Sequence, residues 1–331
     1  MSIGIIGAGG WGTALAVLLC GKHDDVAMWC HSAETLARIR ETGENAVYLP
    51  GVKLPDGLDV TASLEAAVSG RDLLICVTPS HFLREVMNRA VPFVAPDAIV
   101  ACGSKGIEES TLMTMGEVLA EVLGNSQRHA FLSGPTFALE VARRRPSAIT
   151  AASADREVAG RVQQSLGSPE FRVYTSADVV GVQMGGVIKN VIAIAAGVSD
   201  GLELGHNARA ALITRGLAEM TRLAVKLGAD PVTLAGLPGL GDLVLTCTGQ
   251  LSRNRKVGFD LGQGRRLADI VATTRMVAEG IRNTRAVHLL ASRHGVEMPI
   301  VEQMYRVLYE DKPPIQAVRD LMGRMQRAEA D

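Results

Sequence analysis

The sequence predicts an α/β protein in which a mostly parallel sheet is followed by an all-helical C-terminal region. Three observations support this prediction. A glycine-rich turn links a strand-like run to a helix-like run at the start of the chain, short apolar runs then alternate with helical patterns, and near Asp178 the pattern becomes helical throughout. The 331 residues are enough for two cores, so we expect one domain over residues 1–177 and a second over residues 178–331.

The first turn has the spacing Gly7-x-Gly9-x-x-Gly12 and follows the apolar run Ile3–Ile6. Gly7 permits a tight turn, Gly9 leaves room for a pyrophosphate beside its backbone, and Gly12 lets the following helix pack closely on the strand. Free amides at the start of that helix would favour the phosphate charge. An ordinary strand-to-helix turn is the alternative, but a strand-like run over 25–29 favours a dinucleotide-binding, Rossmann-type domain.

Continuous apolar runs farther along are typical of strands buried on both faces of a parallel sheet. The predicted strands cover residues 25–29, 58–61, 73–77, 98–102, 130–132, 147–152 and 171–175. Helices are predicted over 32–41 and from a cap at Ser80, and residues 45–57 read as a loop.

Ligands of such sheets bind beyond the carboxyl ends of the strands. Residues 7–12, 78–80, 105 and 134–136 each follow a predicted strand, so we expect them to share one edge. The basic run 143–145 is interpreted as a solvated helix end.

The C-terminal region is expected to consist of helices. A long buried helix is predicted over residues 179–198, an amphipathic helix over 208–228, and shorter helices thereafter, the last over 314–328. We assign this region to substrate binding because the candidate chemical residues described next fall largely within it.

Composition excludes several classes of protein. A net charge of −1 argues against a nucleic-acid or membrane-surface partner, and the sequence has no uninterrupted apolar run of spanning length. The first strand begins at Ile3 and leaves no room for a targeting segment, so a cytoplasmic location is expected. Five cysteines without a C-x-x-C pair predict buried, reduced thiols, and scattered histidines predict no metal site.

Lys189 is the strongest candidate for acid/base chemistry. It lies in the middle of an apolar helical stretch, where burial and a neighbouring cation would lower its pKa toward the working range of a general acid/base. Gly185 and Gly186, one turn earlier, would let another backbone or a ligand approach. An ion-paired or snorkelling lysine is the alternative interpretation.

Two further groups could hold a substrate. Asp242, in a glycine-rich loop, could bind a hydroxyl or pair with Lys189. It could also cap a helix that begins at Leu243, and the two roles can coexist. Ser252, Arg253 and Asn254 place hydroxyl, guanidinium and amide donors together, which suits a phosphate dianion, although a capped surface helix is equally compatible.

The end of the second strand leaves the choice of dinucleotide open. The acidic residue that often binds the ribose 2′-hydroxyl is absent there, and Glu34 is best interpreted as an acid in the first turn of a helix. His31 could contact the ribose or a 2′-phosphate, so both NAD(H) and NADP(H) are candidate cofactors.

Seven stretches together resemble the bacterial-type NAD(P)-dependent glycerol-3-phosphate dehydrogenases. They are GAGGWGTALA (7–16), SKGIE (104–108), SGPTFALEVA (133–142), IKNVIAIAAGVSDGLELGHNARAALITRGLAEM (188–220), GLPGLGDLVLTC (236–247), SRNRKVG (252–258) and VAEGI (277–281). They occur in family order over most of the chain. The 188–220 block and the 236–258 motifs are specific to this family and are not general Rossmann features.

The resemblance implies reversible reduction of dihydroxyacetone phosphate to sn-glycerol 3-phosphate, a reaction that would supply phospholipid synthesis. It implies that Lys189 is the proton donor and acceptor. The implied substrate contacts are Lys105, Gly134, Thr136, Lys189, Asp242, Ser252, Arg253 and Asn254. The implied dinucleotide contacts are Gly10, Trp11, His31, Lys105, Ala138, Arg253, Val277 and Glu279, beside the motif glycines Gly7, Gly9 and Gly12.

Two departures from the family pattern are present. Cys30 and His31 stand where many members carry arginine, which leaves the NAD(H) or NADP(H) preference undecided, and residues 143–145 replace a shorter glycine-containing turn. A homodimer is the candidate assembly.

Two other functions are compatible with parts of the sequence. A β-hydroxyacid-type dehydrogenase also joins a Rossmann domain to helices and uses a helix lysine, but it would not need the donor group at 252–254. A non-catalytic sensor of dinucleotide redox state would not need Lys105, Lys189 and Asp242 together.

Overall fold

The computed structural model describes residues 1–124, 128–273, 279–326 and 328–329. The described chain contains a sheet of eight strands, β1 (Ile3–Ile6), β2 (Val26–Trp29), β3 (Leu58–Thr61), β4 (Leu73–Cys76), β5 (Ile99–Cys102), β6 (Arg128–Ser133), β7 (Ser147–Ala152) and β8 (Phe171–Ser176). The strand order is β3-β2-β1-β4-β5-β6-β7-β8, and every neighbouring pair is parallel except β6 and β7. The predicted mostly parallel sheet is confirmed.

Helices cover both faces of the sheet. They are α1 (Gly10–Cys20), α2 (Ala33–Thr42), α3 (Leu64–Val68), α4 (Leu83–Ala90), α5 (Met115–Leu123), α6 (Ala138–Ala142) and α7 (Arg156–Leu166). Along β4, Leu73 and Ile75 enter one core, whereas Leu74 and Cys76 enter the core on the opposite face. A strand with two buried faces needs apolar residues at every position, which explains the continuous runs in the sequence.

The predicted cap at Ser80 is wrong. A short 3₁₀ turn, Ser80–Phe82, precedes α4, and the serine side chain caps neither element. The Ser80 backbone amide instead donates to the Glu279 carboxylate at 2.9 Å, so this residue joins the sheet region (residues 1–177) to the helical region (residues 178–331).

The helical region is built around one long helix. Its described helices are α8 (Val179–Gly201), α9 (Gly205–Lys226), α10 (Pro231–Ala235), α11 (Asp242–Thr248), α12 (Arg253–Gly262), α13 (Leu267–Thr273), α14 (Glu279–Arg293), α15 (Pro299–Tyr309) and α16 (Pro314–Met322). A π-helical turn, Leu237–Gly241, leads into α11. By length and composition α8 could cross a membrane, but it is a core helix, since 83% of its most apolar window is buried inside the protein.

Helix α12 lies unusually close to α8. A Cβ atom on Gly258 would lie 1.9 Å from the Ile194 carbonyl oxygen, and one on Gly197 would lie 2.0 Å from the Arg255 carbonyl oxygen. Side chains at these positions would push the two backbones apart, so the glycines permit the contact. The close crossing brings the start of α12, with residues 252–254, beside the middle of α8.

Candidate active site

Two lysines share one buried carboxylate in the structure. We call Lys105, Lys189 and Asp242 the lysine centre. Lys189 Nζ, on α8, lies 2.5 Å from Asp242 Oδ1, and Lys105 Nζ, from the loop after β5, lies 2.7 Å from Asp242 Oδ2. The exposed fraction of the side chain is 9% for Lys189 and 2% for Asp242. The structure therefore brings together three residues that are widely separated in the sequence, and the ion-paired interpretation of Lys189 is confirmed, while its acid/base role stays a prediction.

Glycines on α8 make this arrangement possible. A Cβ atom on Gly185 would lie 2.4 Å from the Pro238 carbonyl oxygen, and one on Gly186 would lie 3.4 Å from Lys105 Cδ. The first glycine admits the backbone that leads into α11, and the second leaves space for the aliphatic part of Lys105. The expectation that this glycine pair permits a close approach is confirmed.

Burial and charge oppose each other at Lys189. Desolvation lowers the pKa of its ammonium group most strongly, the Asp242 carboxylate raises it, and the Lys105 ammonium lowers it again, with a resulting pKa of about 8. The two lysines hold the pKa of Asp242 below its usual range against the opposing effect of burial. A lysine with such a pKa can both donate and accept a proton near neutral pH.

Asp242 does not cap a helix. It is the first residue of α11, and its side chain is directed to the lysines and not to the backbone amides of the helix. Thr246, one turn later on α11, donates to the Asp242 carbonyl oxygen at 2.6 Å and accepts from Lys189 Nζ at 2.9 Å. The capping alternative is therefore wrong, because the buried Lys189 and the partly exposed Lys105 compete for the carboxylate more strongly than backbone amides do.

A chain of amides lies beside the lysine centre. Asn254 Nδ2 donates to Asn190 Oδ1 at 2.9 Å, and Asn254 Oδ1 accepts from the Gly280 amide at 3.1 Å. Ser252 caps α12, since its hydroxyl accepts from the Arg255 amide at 3.2 Å. The capped helix start is therefore confirmed, and Asn254 lies beside Asn190, the residue after Lys189, while phosphate binding by this segment stays a prediction.

Arg253 begins α12 with an exposed side chain. Its positive charge lowers the pKa of Glu279, although burial outweighs this effect and leaves that pKa raised. The exposed guanidinium at a helix start supplies the kind of donor that a phosphate needs.

The glycine-rich turn has the geometry expected for a dinucleotide. Gly7 has a φ of +124°, which favours glycine, and a Cβ on Gly12 would lie 1.9 Å from the Gly7 carbonyl oxygen. A Cβ on Gly9 would meet no heavy atom within 4 Å, so the backbone there is open. Gly9 also precedes α1 without a side-chain cap. An open backbone before uncapped helix amides fits a pyrophosphate.

Other predicted cofactor residues lie around this turn. A Cβ on Gly10 would lie 3.8 Å from the Ala138 Cβ at the start of α6, and one on Gly103 would lie 3.3 Å from Trp11 Nε1. Trp11 also packs against Phe171, with ring centroids 6.4 Å apart. The structure therefore places Gly10, Trp11 and Ala138 together.

His31, Glu34 and Val277 are the remaining residues that the sequence analysis considered for the dinucleotide. His31 is exposed after β2 and lies against Trp29, with ring centroids 5.6 Å apart. Glu34 pairs with Arg38 at 2.7 Å, as expected of an acid in the first turn of a surface helix. Val277 lies outside the described residues.

Gly134 and Thr136 follow directly after β6. Gly134, with a φ of +157°, packs on β7, where a Cβ would lie 2.9 Å from the Ile149 Cα. Thr136 donates to the Gly134 carbonyl oxygen at 3.1 Å. Immediately before them, Ser133 has a buried hydroxyl without a hydrogen-bond partner among the described residues, and a Cβ on Gly186 would lie 2.7 Å from it.

The sequence prediction did not include Asn190, Thr246 and Ser133, which lie beside predicted site residues. Thr246 follows Asp242 by four positions on the same helix, and this spacing could have identified it. Asn190 adjoins Lys189, but no local pattern showed that it faces Asn254. Within the described residues, groups of three or more histidine, cysteine, aspartate or glutamate side chains able to hold a metal ion are absent.

Both parts of the chain match known protein families. A family model described as the N-terminus of NAD-dependent glycerol-3-phosphate dehydrogenase matches residues 2–159, and a model described as its C-terminus matches residues 178–319. The chain is 56% identical over 329 residues to a Geobacter metallireducens protein named glycerol-3-phosphate dehydrogenase (NAD(P)+), covering 99% of this chain and 98% of that protein.

Solved structures show the same fold. The crystal structure of glycerol-3-phosphate dehydrogenase from Coxiella burnetii superposes with a TM-score of 0.94 at 42% identity, covering 98% of this chain and 99% of that chain. D-mandelate dehydrogenase, solved with NADH and anilino(oxo)acetate, superposes with a TM-score of 0.65 at 14% identity, covering 96% of this chain and 100% of that chain. The second likeness concerns the fold alone, so substrate choice must be argued from side chains.

Proposed function

The chain belongs to the NAD-dependent glycerol-3-phosphate dehydrogenase family, and from this premise we propose that it reversibly reduces dihydroxyacetone phosphate to sn-glycerol 3-phosphate with NADH or NADPH. The observation that carries the chemical part of the proposal is the shared carboxylate: Lys189 and Lys105 both contact Asp242. Reduction of a ketone places negative charge on its oxygen, and a cationic, proton-donating centre stabilises that charge.

The dinucleotide would be held by the glycine-rich turn. The open backbone at Gly9 and the uncapped start of α1 would receive the pyrophosphate, and Trp11, Ala138 and Glu279 would line the same side of the sheet. When bound, the nicotinamide supplies or accepts the hydride. The glycines position the phosphates, and the chemistry of the substrate oxygen is left to the lysines.

Proton transfer is assigned to Lys189. Its ammonium would donate to the C2 oxygen during reduction, and its neutral amine would accept the proton during oxidation. Asp242 holds both ammonium groups in place, and Thr246 fixes Lys189 from a second direction. Lys105 would stabilise the developing negative charge by electrostatics.

The substrate phosphate would bind at the start of α12. Arg253 would contribute a planar guanidinium, and Ser252 and Asn254 would contribute polar groups beside it. Gly134 and Thr136 would border the three-carbon chain on the side of the sheet. The donors at 252–254 favour this substrate over a non-phosphorylated β-hydroxyacid, which has no dianion to bind.

The setting of the reaction is also part of the proposal. We infer a cytoplasmic protein whose partners are small molecules, with no nucleic-acid or membrane partner, on the basis of the net charge of −1 and the burial of its long apolar helix. The product would supply phospholipid synthesis, as the family resemblance implies, and a homodimer remains open.

The reverse reaction tests the substrate assignment. Formation of NADH and NADPH is followed with sn-glycerol 3-phosphate, glycerol and 3-hydroxyisobutyrate as alternative substrates. The proposal expects turnover with sn-glycerol 3-phosphate that exceeds turnover with the other two. Preferred oxidation of the hydroxyacid would favour the β-hydroxyacid alternative, and dinucleotide binding without any turnover would favour a redox sensor.

A further inference from the structure

Asn283 is a buried polar residue that contacts the loop carrying Lys105. It lies on α14 with 1% of its surface exposed, and its Nδ2 donates to the Lys105 carbonyl oxygen at 3.1 Å. The hydrogen bond crosses from the helical region to the sheet region. A buried amide whose donor reaches a main-chain carbonyl so far away in the sequence fixes the position of that backbone.

The neighbouring residues strengthen this contact. A Cβ on Gly106 would lie 2.1 Å from Ser80 Oγ and 3.2 Å from Asn283 Oδ1, so the loop is enclosed between these two side chains. One turn before Asn283, Glu279 accepts from the Ser80 amide at 2.9 Å. The first turns of α14 therefore hold both loops that follow β4 and β5.

The enclosed backbone carries one of the two lysines of the candidate active site. Lys105 extends from this loop to Asp242, where its ammonium lies 2.7 Å from Oδ2. A lysine side chain has four rotatable bonds, so its ammonium group stays in place only if its backbone is fixed and its partner is near. Asn283 supplies the first of these conditions, and Asp242 supplies the second.

We propose that Asn283 is a positioning residue for the reaction proposed above: by holding the Lys105 backbone, it keeps the Lys105 ammonium on Asp242 and beside Lys189. Asn283 contacts none of the reacting groups, and its effect passes through Lys105. Without the hydrogen bond the loop can shift, and Lys105 then leaves the carboxylate for solvent.

This role has an electrostatic consequence that simple support of the fold would not have. Lys189 faces Asp242, Thr246 and the Cys247 thiol, all on α11, and Lys105 in the loop after β5. From α14, Glu279 interacts electrostatically with Lys105. Removing the Lys105 charge relieves a repulsion and leaves Asp242 to Lys189 alone. Both changes favour the Lys189 ammonium, so the pKa of Lys189 should rise.

The test compares Asn283→Leu with Thr284→Val. Leucine has the same number and branching of side-chain heavy atoms as asparagine but cannot donate a hydrogen bond. Thr284 is the next residue on α14, is equally buried, and donates only to Gly280 in its own helix, so its replacement is a matched control. Asn283→Ala serves as a second variant if leucine disturbs folding, and circular dichroism and thermal unfolding establish that each protein is folded.

The main readout is the titration of Lys189 in protein that contains carbon-13-labelled lysine, with the resonance assigned by its loss in Lys189→Arg. In Asn283→Leu we expect the midpoint to rise by about one pH unit, and kcat/KM for dihydroxyacetone phosphate to fall by about 10- to 100-fold. Thr284→Val should match the wild type. An unchanged Lys189 midpoint in both Asn283 variants would overturn the proposal.

The two readouts separate this inference from the proposed function. The titration requires no substrate, so it tests the role of Asn283 even in a protein that does not reduce dihydroxyacetone phosphate. A shifted midpoint without any wild-type turnover would retain the positioning role and reject the substrate. Turnover with an unshifted midpoint would retain the substrate and reject the positioning role.

Discussion

Lys189 shows how one residue acquires its chemistry from its surroundings. The apolar residues of α8 remove water from its ammonium group and lower its pKa, and Asp242 prevents complete loss of the proton. Neither effect alone would suit an acid/base group. An isolated buried lysine would be neutral at physiological pH, and an exposed ion-paired lysine would stay protonated well above it.

The first prediction concerns the pH dependence of the reaction. Reduction needs the Lys189 ammonium, so kcat/KM for dihydroxyacetone phosphate should fall as the pH rises through about 8, and oxidation of glycerol phosphate should rise over the same range. In Asp242→Asn the carboxylate that favours the ammonium is lost, so both transitions should move to lower pH. Steady-state rates from pH 6 to pH 10 measure this, and a transition that stays in place or moves upward would refute the coupling.

A second prediction concerns the phosphate. Arg253→Ala should weaken binding of dihydroxyacetone phosphate by about 1.5–3 kcal/mol, the usual value of a charge-assisted hydrogen bond, and should change the weak reaction of unphosphorylated dihydroxyacetone much less. The ratio of kcat/KM for the two substrates is the measurement. Lys256→Ala, on the same helix with an exposed side chain, is the control. Equal losses on both substrates would remove the phosphate role from Arg253.

Single residues were partly predictable from the sequence. Lys189 was recognisable because a charge within an apolar helix is costly, and Asp242 because a carboxylate in a glycine-rich loop can serve as its partner. Asn283 was not recognisable, since its contact with Lys105 joins residues that are 178 positions apart. A local pattern records which face of a helix is buried, but it does not record which distant backbone that face meets.

At the scale of elements, the ends of helices and the close contacts of glycines decide where the functional groups lie. The sequence predicted α8 over 179–198, but the helix continues to Gly201, because Gly197 and Gly201 pack beneath α12. Glycine has a low helix propensity and normally destabilises the interior of a helix. Here the packing of another backbone compensates for its low propensity, and tertiary contacts of this kind are absent from local sequence patterns. The last helix was predicted over 314–328 and ends at Met322, where Gly323 follows.

The glycine-rich turn gives a prediction with its own control. Gly12→Ala places a Cβ within 1.9 Å of the Gly7 carbonyl oxygen and should destabilise the protein, whereas Gly9→Ala meets no neighbouring atom and should leave the stability unchanged. Gly9→Ala should nevertheless weaken NADH binding at least tenfold, because the Cβ enters the space proposed for the pyrophosphate. Urea unfolding and fluorescence titration measure the two effects. Full NADH affinity in Gly9→Ala would place the phosphates elsewhere.

Helix α15 provides a prediction about stability. The buried Glu219 carboxylate accepts from the amides of Ile300 and Val301 at the start of this helix, and burial raises its pKa to about 7. Because the folded-state pKa lies above the unfolded value, this contribution to stability is complete below about pH 4.5 and is lost as the pH rises through about 7. The loss should amount to roughly 3 kcal/mol at most.

Glu219→Gln removes this titration while keeping an oxygen that can accept from Ile300. The free energy of unfolding of the variant minus that of the wild type, measured in urea, should therefore increase as the pH is raised from 5 to 8. The comparison with the wild type at each pH cancels the titration of all other groups. A difference that is constant with pH would mean that Glu219 does not titrate in this range.

At the scale of the whole molecule, the site lies where the two regions meet. The sheet region contributes Lys105 and the glycine-rich turn, and the helical region contributes Lys189, Asp242 and the start of α12. The positions of the strands along the chain and the helical C-terminal region could be predicted because buried strands and core helices have distinct apolar periods. The docking of one region on the other could not, since it depends on contacts between residues far apart in the sequence, such as those of Glu279 and Asn283.

The most direct test of this account is the oxidation of NADH and NADPH by dihydroxyacetone phosphate, compared between the wild type and Lys189→Ala. The wild-type protein should oxidise at least one dinucleotide, and the ratio of the two rates gives its preference. Lys189→Ala should bind the dinucleotide normally but turn over about 10²- to 10⁴-fold more slowly, the usual cost of losing a general acid. A wild type that binds dinucleotide without oxidising it, or a variant with a near-normal rate, would contradict the account.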